Sequence, residues 1–183
     1  FSWMPDGRRA LVSWDDDTSD QEGQRIRVLD VDTDTLTSLP GVSGYQWGAQ
    51  VSPTGEWTLI SGTTPGSTDN WGLWLRNRDG SSRRTIFDSA NWWWNGWGAW
   101  YGYGWYGYES GVAWSPDGTQ LVLPRGDVDR RSASLWAYDI ATRDTEELVT
   151  ARADQSLMDP AWSPDGRYLA YSSYDWSSAT GDV

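Results

Sequence analysis

Ala113-Trp114-Ser115-Pro116-Asp117-Gly118, followed two residues on by Leu121-Val122-Leu123, is the stretch that decides the fold. The phrase returns as Ala161-Trp162-Ser163-Pro164-Asp165-Gly166. With changes it returns again as Ser2-Trp3-Met4-Pro5-Asp6-Gly7 and as Val51-Ser52-Pro53-Thr54-Gly55. Its prolines stand 48, 63 and 48 residues apart, and self-similarity at such a period marks a repeat architecture. Each phrase is a turn with a mechanism. Proline presets φ, aspartate tolerates the next position, and glycine supplies the positive φ with which the chain re-enters a strand. In the second copy Thr54 replaces the aspartate. That turn should survive, because glycine is the harder requirement.

Working outward, an apolar run follows each turn: Ala10-Leu11-Val12, Thr58-Leu59-Ile60, Leu121-Val122-Leu123 and Leu169-Ala170-Tyr171. Runs this short, bounded by turn signals, predict strands buried on both faces. A polar loop precedes a second strand, which reads Ile26-Arg27-Val28-Leu29, Leu73-Trp74-Leu75-Arg76 and Leu135-Trp136-Ala137-Tyr138. A second turn follows at Asp30-Val31-Asp32-Thr33, Asn77-Arg78-Asp79-Gly80 and Asp139-Ile140-Ala141-Thr142, and the last strand ends on Leu39, Ile86 or Leu148. From Ile26 to Leu39 the three copies align without a gap, at offsets of 47 and 109.

Four short strands per repeat, joined by tight hairpins, make a radial sheet. At this point a family resemblance enters. Trp-Ser-Pro-Asp-Gly, an apolar triplet, a strand such as Leu135-Trp136-Ala137-Tyr138-Asp139, then Thr142 and a closing Leu148 resemble the blade of TolB-type β-propellers. The propeller domains of prolyl oligopeptidase-family enzymes are similar too. The resemblance covers the chain apart from residues 90–110. It implies an all-β propeller of about three and a half four-stranded blades, with approximate bounds 1–48, 49–111, 112–160 and 161–183. An open arc leaves edges unpaired, so the expectation is a segment of a larger ring of six to eight blades. Trp3, Trp114 and Trp162 occupy equivalent sites and are expected to be buried between neighbouring blades.

Composition narrows the chemistry. The fourteen basic residues are all arginine, against twenty-six acidic ones, for a net charge of -12. Such a balance argues against nucleic acid, whose phosphates demand cationic surface. There is no histidine and no cysteine. A Ser-His-Asp or Cys-His arrangement therefore cannot be built from these residues, and no disulfide or thiolate metal site can form within them. No Gly-x-Ser-x-Gly elbow and no phosphate-binding loop motif occurs. No apolar stretch approaches the ~18 residues of a membrane span, and no cofactor is expected. Acid pairs for glycoside hydrolysis are spatial rather than sequential, and no motif selects one.

Between the second and third repeats the period lengthens by 15 residues, and the extra length is aromatic. Residues 91–108 hold six of the sixteen tryptophans and four of the nine tyrosines, broken repeatedly by glycine. Three readings stand: a loop packed on its own blade, a docking surface for another protein, or a sugar-stacking or membrane-interface platform. The docking reading names Trp97, Trp100, Tyr101, Tyr103, Trp105 and Tyr106, because tryptophan and tyrosine dominate binding hot spots.

Asp15, Asp16, Asp17 and Asp20 form an acidic cluster that calcium could use, with a solvated charged loop as the competing reading. Asp30-Val31-Asp32-Thr33-Asp34 opens like an EF-hand loop but has Thr35 and Gly41 where that loop needs glycine and glutamate. The alignment makes it an ordinary interstrand turn. The sequence thus points to a non-catalytic TolB-like propeller segment, a protein-binding or scaffolding module. The resemblance implies an extracytoplasmic location. The alternatives are the gating propeller of a prolyl oligopeptidase-type hydrolase and a carbohydrate-binding propeller.

Overall fold

The computed structural model describes residues 1–14, 25–42, 46–63, 65–66, 71–88, 111–127, 132–175 and 177. The chain divides into two compact units, Phe1–Asn91 and Trp92–Val183. In the first unit β1 (Ser2–Trp3), β2 (Arg9–Trp14), β3 (Arg25–Asp30) and β4 (Thr35–Ser38) form an antiparallel sheet in chain order. β5 (Gln46–Val51), β6 (Trp57–Thr63), β7 (Trp71–Asn77) and β8 (Arg83–Asp88) form a second. In the second unit β9 (Ala113–Trp114), β10 (Gln120–Asp127), β11 (Ser132–Asp139) and β12 (Thr145–Val149) repeat that order. β13 (Gln155–Trp162) and β14 (Leu169–Asp175) add an antiparallel pair, joined to β11 by a parallel bridge between Ala133 and Ser156. No helix occurs among the described residues. These are three four-stranded meanders and two strands of a fourth.

The repeated phrase builds one turn four times. The N–H of Gly7, Gly55, Gly118 and Gly166 donates to the carbonyl of Met4, Ser52, Ser115 and Ser163, at 2.8–3.0 Å. Each of these glycines has φ between 67 and 72°, a conformation other residues adopt only with strain. The aspartate then knits the turn to the following strand. Asp117 accepts from the Ser115 hydroxyl at 2.6 Å and from the Thr119 N–H at 3.0 Å. Asp165 does the same with Ser163 and the Arg167 N–H. In the second sheet Thr54 meets the Ser52 hydroxyl at 3.1 Å and the turn keeps its shape.

The second turns differ more than their gapless alignment suggests. Asp30 accepts from the N–H groups of Asp32 and Thr33, and Asp139 from those of Ala141 and Thr142. The left-handed residue that follows is Asp34 in one case and Arg143 in the other. In the second sheet the left-handed residue is Gly80, one alignment position earlier, and its N–H closes a four-residue turn on the Asn77 carbonyl. Asp30 is therefore a turn former between β3 and β4.

The core of the first unit joins its two sheets. Leu11, Ile26 and Leu39 meet Ala49, Ile60 and Trp74, with Met4, Val28, Val42 and Val51 packed around them. Each large side chain fully buried this way contributes about 1.5–3 kcal/mol. Leu59, Leu73 and Leu75 are also buried, so β6 is covered on both faces, as expected of Thr58-Leu59-Ile60, and β7 is covered on both faces as well. The second unit buries Val122, Leu135, Ala151 and Leu157, with Trp162 and Leu169 against them.

Two expectations fail. Trp3 is 53% exposed. Ser2 turns toward the second sheet and accepts from the Val51 N–H at 3.0 Å. Strand alternation then sends Trp3 to the opposite face. Trp114 and Trp162 are half-buried rather than enclosed, and their indole N–H groups find no acceptor among the described residues. The run Leu169-Ala170-Tyr171 is not buried on both faces either. Ala170 is exposed and Tyr171 is 42% exposed, since β14 pairs only with β13 among the described strands.

Candidate functional site

The described feature best built to hold a ligand is a cleft of about 520 Å³ within the first unit, between its two sheets. Clefts of that size accommodate small ligands or short peptide segments. The first sheet contributes Met4, Pro5, Asp6 and Arg9 from its repeated turn, Val28 from β3, and Leu39 and Pro40 after β4. The second contributes Thr54 and Gly55 from its own repeated turn, Val51 and Thr58 from the strands flanking it, Arg76 from β7, and Arg78 and Asp79 from the β7–β8 turn. The same turns that make the sheets therefore wall the cleft.

Arg76 is the unusual member. It is only 3% exposed. Its Nε donates to the Pro40 carbonyl at 2.9 Å, tying the second sheet to the segment leaving the first. It makes no ion pair among the described residues. Arg83 stands directly opposite it on β8, and like charges so placed repel. Burial, and then the Arg83 charge, hold the Arg76 guanidinium below the usual arginine range, against a smaller opposing pull from Asp79.

The backbone makes room for this side chain. A Cβ on Gly80 would sit 3.0 Å from one terminal nitrogen of Arg76 and 3.4 Å from the Pro40 carbonyl oxygen. Repeat alignment shows what has changed. Arg76 stands where the first repeat has Leu29 and the third has Tyr138, and Gly80 stands where they have Thr33 and Thr142. A charge at an aligned apolar position, four residues before an unaligned glycine, was the signal for this site in the sequence.

The carboxylates of the cleft are engaged. Asp6 accepts from the N–H groups of Arg8 and Arg9 at 3.0 Å and from the Arg9 guanidinium at 2.7 Å. These bonds, that of Arg8 foremost, hold it at about 2. Asp79 is held below its ordinary value by the Ser81 hydroxyl and N–H, the latter at 2.8 Å. Three arginines against two aspartates leave the lining with one formal positive charge, within a chain of net charge -12. Arg78 is exposed and has no ion pair among the described residues.

The sequence-predicted contacts Trp97, Trp100, Tyr101, Tyr103, Trp105 and Tyr106 lie outside the described residues, as do Asp15, Asp16, Asp17 and Asp20. Among the described residues no group of three or more His, Cys, Asp or Glu is placed to hold a metal ion. No described helix is long and apolar enough to cross a membrane.

The repeated turn and four-stranded meander recur in known structures. TolB from Acinetobacter baumannii superposes with a TM-score of 0.57 at 18% identity, over 93% of this chain and 36% of that one. The described sheets share the β-propeller blade fold of that structure. A prolyl endopeptidase structure matches the same sheets with a TM-score of 0.60 at 12% identity, over 95% of this chain and 24% of its own. An uncharacterized protein of Agrobacterium fabrum is 29% identical over 180 residues, which cover 94% of this chain and 53% of that protein. The chain thus spans about half the length of the curated relative it matches. No family model matches it.

Proposed function

We propose that the chain is part of a non-catalytic TolB-like propeller that binds a protein partner in an extracytoplasmic compartment. One observation carries this reading. β5–β8 and β9–β12 each complete four strands without residues 89–110. The aromatic connection is therefore not needed to build either flanking sheet. Its tryptophans and tyrosines are the residue types that supply binding energy at interfaces. Connections between elements are also where binding residues collect. The turn aspartates support binding over acid–base chemistry. Asp6, Asp79, Asp117, Asp139 and Asp165 are each held below their ordinary range by the hydrogen bonds of their own turns, whereas a general acid needs a pKa near the working pH.

The test replaces residues 92–108 with a short Gly-Ser linker and compares partner capture and melting temperature with the unaltered chain. Loss of the partner at unchanged melting temperature is expected. A collapsed melting temperature, or a partner still bound, overturns the proposal. A Gly-x-Ser-x-Gly motif with a following Asp and His elsewhere in the gene would instead make this the propeller of a hydrolase.

A further inference from the structure

We propose that the cleft between the first two sheets binds a single carboxylate carried on an apolar group, with the Arg76 guanidinium as its anchor. The inference goes beyond the partner-binding reading and does not rest on it, since it uses no residue of the aromatic connection.

Burying a charge without a counter-charge is costly. Arg76 is buried with only the weaker pull of Asp79 to offset its charge, and its one hydrogen bond, from Nε to Pro40, leaves the terminal NH₂ groups without a described hydrogen-bond partner. Arg83, directly opposite, adds a like charge instead of relieving it. Packing at this position does not require a guanidinium, because the first and third repeats fill it with Leu29 and Tyr138. The terminal nitrogens of a guanidinium present parallel N–H donors that match the two oxygens of a carboxylate. Charge decides against phosphate. The lining carries one net positive charge, enough for a monoanion, and a dianion would face Asp6 and Asp79. Met4, Val28, Leu39 and Val51 supply the apolar wall for the group that carries the carboxylate.

Two sources share this chemistry: the C-terminus of a protein ending in apolar residues, and a small amphipathic acid. Calorimetric titration of the full chain separates them. The probes are an acetylated tetrapeptide ending in two leucines, its C-terminal amide, hexanoate and inorganic phosphate. At least one carboxylate should bind ten-fold or more tightly than the amide and phosphate. A tighter peptide points to a chain terminus, and a tighter hexanoate to a small acid. Arg76→Leu should abolish that preference while the melting temperature holds or rises. Arg76→Lys, which keeps the charge and loses the fork, should fall between. Arg78→Gln, at an exposed position, should weaken binding a few-fold without changing stability, and it remains informative if Arg76→Leu does not fold. Equal binding of acid and amide, tighter binding of phosphate, no binding of either carboxylate, or a folded Arg76→Leu that keeps the preference would each overturn the proposal.

Discussion

At the scale of single residues, burial sorts the tryptophans. Trp74 is 1% exposed in the core of the first unit, whereas Trp3 is 53% exposed. Trp74→Ala should cost ~3–5 kcal/mol, as large core truncations do. Trp3→Ala should stay within ~1 kcal/mol, nearer the range of surface changes. Urea unfolding of the two variants checks the ranking, and equal losses would contradict it. The turn aspartates give a second prediction, in pH. Asp6 moves from 3.8 to about 2 on folding. The unfolded chain therefore takes up the proton first. The contribution of Asp6 is complete above its unfolded value and is lost as pH falls through the folded one. Asp117, Asp139 and Asp165 shift in the same direction. Melting temperature should fall steeply between about pH 4 and pH 2. Asp6→Asn should lower it at neutral pH and flatten that decline, and an unchanged acid limb would argue against the Asp6 bonds.

At the scale of elements, the β7–β8 turn and the Arg76 side chain form one unit. Gly7 and Gly80 both have positive φ, but a Cβ on Gly7 meets nothing within 4 Å, whereas one on Gly80 meets Arg76 and Pro40. Gly7→Ala should therefore cost only the backbone strain of a left-handed position, roughly 1–2 kcal/mol. Gly80→Ala should cost more, and part of the excess should vanish when Arg76→Leu is also present. A double-mutant cycle measures that coupling, and strict additivity would show that the two do not share the space. This pair also marks the limit of what the sequence showed. The strands and the first turns were legible because Pro-x-Gly and apolar triplets are local signals, and the register follows from them. The cleft was not legible as a site. Arg76 lies in a stretch that reads correctly as a strand, and only superposing the repeats exposes a charge at an apolar position. The burial of Trp3, Trp114, Trp162 and Tyr171 was misread because local pattern gives a side chain's alternation but not whether another sheet covers that face.

At the scale of the whole molecule, the net charge of -12 sets a salt dependence. Self-repulsion destabilises a compact state, and at roughly 0.15 M salt the screening length drops to about 8 Å. Melting temperature should therefore rise by several degrees as sodium chloride is raised to that level. The Arg8–Asp32 pair, more than half exposed on both sides, stands to lose little from the same screening. A falling melting temperature would mean that attractive surface pairs outweigh the repulsion. The exchange of leucine or tyrosine for Arg76, and of threonine for Gly80, has a consequence at this scale as well. Repeated blades offer the same framework over and over, and a ligand that read only the framework would be counted once per blade. The exchange occurs in one of the three aligned repeats. It gives an otherwise periodic chain an address, and saturation should come at one equivalent per chain.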